Sequence, residues 1–355
     1  MIFFLLLLVW VPLSLSRLYE VARTRGFPSD VGVYVYLGIV AVALPLSILV
    51  HELGHAFAGA AVGWRFRSLA VGPLELVRFP HGWRFRHNRA GHLGFVTLVP
   101  ATLAGFRRRF WIYAAGGPVA TLLLALACAS MAWQAMDPAL FWLTAVIAQW
   151  ALLSSFSFVA DLMFPDYRQR VSDGQRLREL SRGGEAVDRL QCALLSLTSD
   201  ATPLRPRDWP AALIRRCAET PGPKSERRHA FYLSYVQSLD SGDVQAASSW
   251  LAKLLERWEA TDPAEYSLEA TYFYGFHERD PDKARQWLDV QLEDPEPWVR
   301  LRAEGAFALA DGRPDDARRL VEQALSALND APGSGASVYE ADLLNAMLHE
   351  IRAPL

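Results

Sequence analysis

The chain is predicted to be mainly α: a polytopic membrane helix bundle of about four spans with an interfacial β-hairpin region, followed by a cytosolic α-helical solenoid. Three observations carry this reading. Four apolar stretches lie before residue 161, the loop between the second and third alternates aromatic residues with arginines, and the second half has the mixed composition of a soluble helical protein with an internal repeat. At 355 residues the chain is long enough for two or three domains. A formal net charge of −2 argues against a nucleic-acid binder. Cys128, Cys192 and Cys217 are odd in number and widely spaced, so they form neither a disulfide framework nor a metal-binding pair and read as buried thiols.

The first apolar stretch, residues 2–16, is short for a span, which takes about 20 residues. It lacks the positive leader and clear small-residue cleavage site of a signal peptide, so a retained span is the favoured reading and a cleaved signal peptide the alternative. The second, residues 31–63, exceeds what a bilayer requires, and Pro45 is expected to kink it. The third and fourth, residues 111–133 and 139–160, have Asp137 and Pro138 between them and form a tight membrane hairpin. Between Trp64 and Phe110 stand nine arginines and one acid, Glu75, ending in Arg107-Arg108-Arg109. The positive-inside rule places this loop in the cytoplasm, and the tail beyond Ala160 falls on the same side. The three arginines of residues 17–30 then face outward, a mild conflict with the rule.

The second stretch holds "ILVHELGHAFAGA", with two histidines and a glutamate in five residues of an otherwise greasy segment. A charge at the centre of a membrane helix costs about 2.5–3.5 kcal/mol on insertion scales. Burial makes the cluster expensive to keep without a function. His51 and His55 are four apart and project from one helical face. Two imidazoles at that spacing can bind one zinc ion, and Glu52 is placed to reach a water on the metal rather than the metal itself. This is the HExxH arrangement, with the glutamate as general base. Gly54 and Gly59 leave room for close packing or substrate approach. His277-Glu278 and His349-Glu350 lack the second histidine, with Pro281 and Ala353 in its place, and read as surface residues.

HExxH supplies two ligands, and a catalytic zinc usually takes three from the protein. Beyond the fourth stretch, "FVADLMFPDYRQRVSDGQRL" offers Asp161, Asp166 and Asp173. Over residues 31–177 the chain resembles the site-2 protease family of membrane-embedded zinc metallopeptidases. That family pairs HExxH with an aspartate in a later Asp-Gly motif, often Leu-Asp-Gly. The resemblance implies that Asp173, in Ser172-Asp173-Gly174, is the third zinc ligand. Asp161 at the membrane exit stays a competitor, and Asp166 reads as a solvated carboxylate. The family often carries Gly-Pro-x-x-Asn on the intervening span. Here Gly117-Pro118 is followed by Thr121 where asparagine is expected.

Residues 63–100 contain "GWRFR" twice, at 63–67 and 82–86, with the period of a β-strand. Pro80-His81-Gly82 suits a turn before the second copy. Tryptophan and arginine together suit the membrane–water interface. An edge strand here could hold an extended peptide by strand addition, as the resemblance also implies, or could be a structural interfacial hairpin. His81, His87 and His92 match no metal template.

In the second half, proline-rich breaks at 201–210 and 220–226 mark linkers. "DVQAASSWLAKLLE", "DPDKARQWLDVQLE" and "RPDDARRLVEQAL" align at offsets of 37 and 33 residues, with Ala247, Ala284 and Ala317 coinciding. A period near 34 resembles tetratricopeptide repeats, whose stacked surface binds protein or peptide. The aromatics Tyr266, Tyr272, Phe273, Tyr274 and Phe276 read as core. The expected domains are a membrane-embedded metallopeptidase domain at 1–174, linker and helices at 175–226, and the repeats at 227–355. The function expected is an intramembrane zinc endopeptidase of multi-pass topology, acting in the lipid bilayer on membrane protein or peptide substrates, with the cytoplasmic repeats recruiting substrate or regulator. The competing reading is a membrane-anchored scaffold with a structural or vestigial zinc site. A transporter ranks third, because four spans without an inverted repeat argue against it.

Overall fold

The structure, a computed structural model, describes residues 16, 19–26, 33–79, 82–88, 93–163, 172–256, 258–259, 263–288, 296–329 and 333–352. It is mainly helical with one small antiparallel sheet, and it divides into two compact units, Met1–Gly183 and Gly184–Leu355.

In the first unit, α1 (Val33–Ala61) is followed by β1 (Trp64–Val71), β2 (Leu74–Phe79), β3 (Gly82–His87) and β4 (Gly94–Pro100). Then come α2 (Phe106–Gln134), α3 (Pro138–Met163) and α4 (Asp173–Arg182). Pro45 lies inside α1 and the helix runs on past it, so the Ala41 carbonyl lacks its usual donor four residues on. Leu37–Ala61 within α1, and all of α2, are long and apolar enough to cross a membrane. The expected first span, apart from Ser16, lies outside the described residues. The fourth is α3, 26 residues long, of which Pro138–Leu152 forms a shorter apolar stretch among the described residues. The three long helices share an apolar core of Ala43, Cys128, Val146, Ile147 and Ala148.

Both "GWRFR" copies form strands, β1 and β3, in a sheet of order β3-β2-β1-β4. The cross-strand row Val96–Leu69–Leu76–Phe85 runs from β4 to β3 on one face of the sheet. It begins buried at Val96 and ends at Phe85, 76% exposed. The sheet is therefore anchored at its β4 side, and its β2–β3 side projects. Trp64 makes the anchor, stacking on Phe110 and Tyr113 of α2 with centroids 5.2 and 4.9 Å apart. Glu75, buried on β2, is paired by Arg86 of β3 at 2.7 Å. The expected turn at Pro80-His81 lies outside the described residues.

The second unit is helical throughout its described residues: α5 (Glu185–Ala193), α6 (Leu195–Ala201), α7 (Ala211–Glu219), α8 (Lys224–Asp240), α9 (Val244–Leu255), α10 (Ala264–Phe276), α11 (Pro281–Leu288), α12 (Pro297–Ala310), α13 (Pro314–Asn329) and α14 (Gly335–Arg352). The aligned segments are α9, α11 and α13, each packed against the helix before it. Ala247, Ala284 and Ala317 are fully buried, as small residues at a helix–helix contact must be. Asp243 and Asp280 cap their helices, accepting from the Ala246 and Lys283 amides. A Cβ on Gly275 would lie 2.7 Å from the Ala306 carbonyl oxygen, so α10 and α12 touch backbone to backbone.

Candidate metal centre

His51, Glu52 and His55 all lie on α1, and the two histidines are one helical turn apart. Their face is turned to α2 because glycines line the crossing. A Cβ on Gly54 would lie 2.4 Å from the Gly116 carbonyl oxygen, and one on Gly116 would lie 2.4 Å from that of Gly54. The next residue, Gly117, backs onto the imidazoles: its Cβ would meet His55 Nε2 at 2.3 Å and His51 Nε2 at 2.7 Å.

Each imidazole is oriented through its other nitrogen. His55 Nδ1 is 2.8 Å from the Tyr113 carbonyl oxygen, which can only accept, so Nδ1 carries the proton. The Gly117 amide approaches the same nitrogen at 3.3 Å, a longer contact that does not change the assignment. His51 Nδ1 is 2.9 Å from Thr121 Oγ1, whose hydroxyl donates to the Gly117 carbonyl at 3.0 Å. Thr121 Oγ1 therefore accepts from His51. Both Nε2 atoms are left with lone pairs and face each other 3.2 Å apart.

Asp173 enters at the first position of α4. Ser172 starts that helix there, its side chain accepting from the Gln175 amide at 3.3 Å. Asp173 Oδ2 is 2.9 Å from His51 Nε2 and 3.3 Å from His55 Nε2. Three such acceptor atoms at this range require positive charge among them, from a proton on an imidazole or from a metal ion. Burial pushes the Asp173 carboxyl up, but the hydrogen-bonding His51 and His55 outweigh it and hold the group well below the usual carboxylate range.

The residues fit a metal ion. A tetrahedral ion with bonds of about 2.0–2.1 Å holds its ligand atoms roughly 3.3–3.4 Å apart. The edges of the triangle, 2.9, 3.2 and 3.3 Å, come within a few tenths of that. The set mixes two neutral nitrogens with one anionic oxygen, and among the described residues it is the one His/Cys/Asp/Glu group so gathered. The Tyr113 carbonyl and Thr121 hydroxyl supply the outer hydrogen bonds that metal-bound histidines usually make.

Glu52 is buried beside this triangle and is not part of it. Its carboxylate accepts a hydrogen bond from the Val96 amide of β4. The Val96 carbonyl takes the Tyr113 hydroxyl at 2.9 Å, so the outer edge of β4 is fastened to α1 and α2 at this residue. A Cβ on Gly94 would lie 3.1 Å from Glu52 Oε1, so the strand passes directly over the carboxylate. A buried base next to a cation-binding triangle can take a proton from a group held there and return it.

The remaining sequence candidates stand elsewhere. Asp161 is in α3, but its side chain is outside the described residues, as are Asp166, His81 and His92 entirely. His87 sits on the exposed strand β3, opposite Leu74. His277 is not the surface residue expected: it is half-buried at the end of α10, its ring centroid 5.0 Å from that of Phe276. Glu350 does lie at the surface, paired with Arg279 at 2.8 Å. Sequence reading missed the Tyr113 carbonyl, Gly116, Gly94 and Val96. The adjacent glycines Gly116-Gly117 in an apolar span were the available signal for Gly116 as a close-contact residue.

Comparison with known proteins is consistent with this geometry. The family model described as Peptidase family M50 matches residues 39–325, most of the chain. No curated protein and no solved structure matches it.

Proposed function

The chain belongs to peptidase family M50, the family of the site-2 proteases, and we propose that it is an intramembrane zinc endopeptidase that hydrolyses peptide bonds of membrane-associated substrates. The observation that carries this is the triangle of His51 Nε2, His55 Nε2 and Asp173 Oδ2, set beside a second carboxylate outside it, Glu52. His51, His55 and Asp173 hold the zinc, and Glu52 is the general base. When bound, the metal supplies Lewis acidity and makes hydroxide available near neutral pH.

The chain's own residues do the rest. Glu52 accepts the proton released on attack at the scissile carbonyl and delivers it to the leaving amine. The Val96 amide holds its carboxylate in place, and Gly94 leaves the space beside it that a side chain would fill. Thr121 and Tyr113 keep the imidazoles in the tautomer that points a lone pair inward. An extended stretch of substrate would be held by main-chain hydrogen bonds at an edge of the sheet. Edge strand β3 carries exposed side chains throughout, including Trp83 and Phe85, which suit a membrane interface.

In this reading the chain crosses the membrane about four times, with the arginine-rich sheet and the helical unit both cytoplasmic. The stacked helical hairpins there recruit substrate or regulator in the manner of tetratricopeptide repeats. Ser225 is exposed at the start of α8, and a cysteine placed there should resist an impermeant thiol reagent in intact cells. Labelling would reverse the orientation.

The test of the site is metal content. The purified protein should carry about one zinc per chain. Asp173→Ala should lower the zinc affinity and the activity together, while Asp161→Ala keeps both. The opposite pattern would make Asp161 the ligand, and a metal-free wild type would remove the proposal.

A further inference from the structure

Arg107-Arg108-Arg109 reads in the sequence as a block of charge that orients the membrane helices. In the structure Arg107 has a more local task. Its guanidinium donates to the carbonyls of Leu180 and Ser181 in the last turn of α4. Carbonyls in that turn have no partner within their own helix, and a cation there also meets the negative end of the helix dipole. One turn further along α2, Trp111 Nε1 donates to Ser181 Oγ at 3.2 Å. Gly183 closes α4 with φ 74°, a left-handed conformation that favours glycine, and its amide returns to the Glu179 carbonyl. A Cβ there would also lie 3.1 Å from Arg107 Nη1.

The other end of α4 is Asp173. Seven residues separate Asp173 from Leu180, about 10.5 Å of helical rise, and ten separate Arg107 from Gly117 on α2, about 15 Å. Gly117 backs the imidazoles that Asp173 meets, and Arg107 meets the far end of α4, so the two helices run in opposite senses and α2 engages both ends of α4. The reach of the arginine side chain covers the difference in rise. α2 therefore sets all three ligands: the histidines through Tyr113, Gly117 and Thr121, and the aspartate through Arg107.

We propose that Arg107 is a positioning residue for the metal site: by capping the C-terminal end of α4 it sets how far that helix lies along α2, and so holds the Asp173 carboxylate against His51 and His55. The proposal rests on the reading of Asp173 as a ligand. The required accuracy explains the need for a second attachment. A slip of α4 by one residue moves Asp173 by about 1.5 Å, against a tolerance of about 0.2 Å in a metal–ligand distance. The Ser172 cap fixes only where α4 starts, not where it lies. A guanidinium can reach two successive carbonyls with its fork of donors, whereas a lysine brings the same charge without that fork.

Arg107→Lys separates the two roles, because it keeps the charge that orients the membrane helices and loses the two-carbonyl grip. Zinc affinity is read by chelator competition on the full-length protein for wild type, Arg107→Lys, Asp173→Ala and the double variant, with Arg108→Lys as a charge-matched control. Arg107→Lys should weaken zinc binding about tenfold, as loss of an outer-shell partner typically does, and Arg108→Lys should not. In the Asp173→Ala background, Arg107→Lys should weaken it no further, because the ligand it positions is gone. Wild-type affinity in Arg107→Lys overturns the proposal. So does an equal loss in both backgrounds, which would mark a general packing effect. If Asp173→Ala itself leaves the affinity unchanged, the ligand assignment fails first and the proposal falls with it.

Discussion

Gly117→Ala is the most demanding perturbation of the metal centre, since it adds one methyl group and removes nothing. The new Cβ would stand 2.3 Å from His55 Nε2 and 2.7 Å from both His51 Nε2 and His55 Cδ2. Non-bonded heavy atoms settle at about 3.5 Å, so the rings would have to retreat by about 1 Å. The helices cannot separate to make room without breaking the backbone contact of Gly54 with Gly116. Overpacking of this kind costs roughly 1–3 kcal/mol, which the fold can tolerate. A displacement of about 1 Å is several times the ~0.2 Å tolerance of a metal–ligand distance, which the site cannot. Zinc affinity should fall by at least about 100-fold, the upper end of what loss of an outer-shell partner does. The assay is metal content and chelator competition, with circular dichroism as a check on helicity. Gly38→Ala, on the same span as the histidines but with no neighbouring atom within 4 Å of its Cβ among the described residues, should leave zinc binding unchanged. A Gly117→Ala protein with one tightly bound zinc per chain would refute the geometry.

Thr121→Val keeps the shape of the side chain and removes the oxygen that fixes His51, so it should weaken zinc binding about tenfold, with Thr121→Ser restoring it; equal affinity in all three would leave Thr121 without this role. In the helical unit, fully buried Arg302 lies between Glu269 at 2.6 Å and Glu340 at 2.9 Å, with the Tyr272 ring 4.4 Å away. Burial pushes Glu340 up to about 7, against the pull of Arg302 and with Glu269 and Asp200 adding to the rise. A carboxyl raised in the folded state stabilises most below its unfolded value and loses that contribution as pH rises to the folded one. Amide protection in α12 and α14 should therefore fall between about pH 4.5 and 7 in wild type and stay flat in Glu340→Gln. Equal slopes in the two proteins would contradict the assignment.

Much of the site was legible in the sequence because it depends on spacing within one helix. His51 and His55 must share a face at a separation of four, and Glu52 must then lie beside that face. Asp173 follows in sequence only after a long interval, and the residues alone left Asp161 open; the Asp-Gly resemblance, not periodicity, singled it out. Thr121 stood out as a departure from asparagine, yet its hydroxyl both accepts from His51 and donates to the Gly117 carbonyl. Ser172, the other departure, is the cap that places Asp173 at the helix start. Gly117, the Tyr113 carbonyl and Arg107 were not readable in these roles, since each depends on where two helices cross and at what height. The strands at "GWRFR" were legible by their period of two. The passage of β4 over Glu52 was not, because it depends on the order in which the strands pair. In the helical unit the coincident alanines marked the contact faces, while the Arg302 network joins three separate helices and leaves no local pattern.

The most direct measurement compares wild type and Glu52→Gln, purified and reconstituted in liposomes with a membrane-spanning peptide substrate, for zinc content and cleavage rate together. With Glu52 as the proposed base and not a ligand, the variant should keep about one zinc per chain while cleavage falls by about 10²–10⁴-fold. Full cleavage in Glu52→Gln, or loss of the zinc along with the activity, would contradict the role assigned to it.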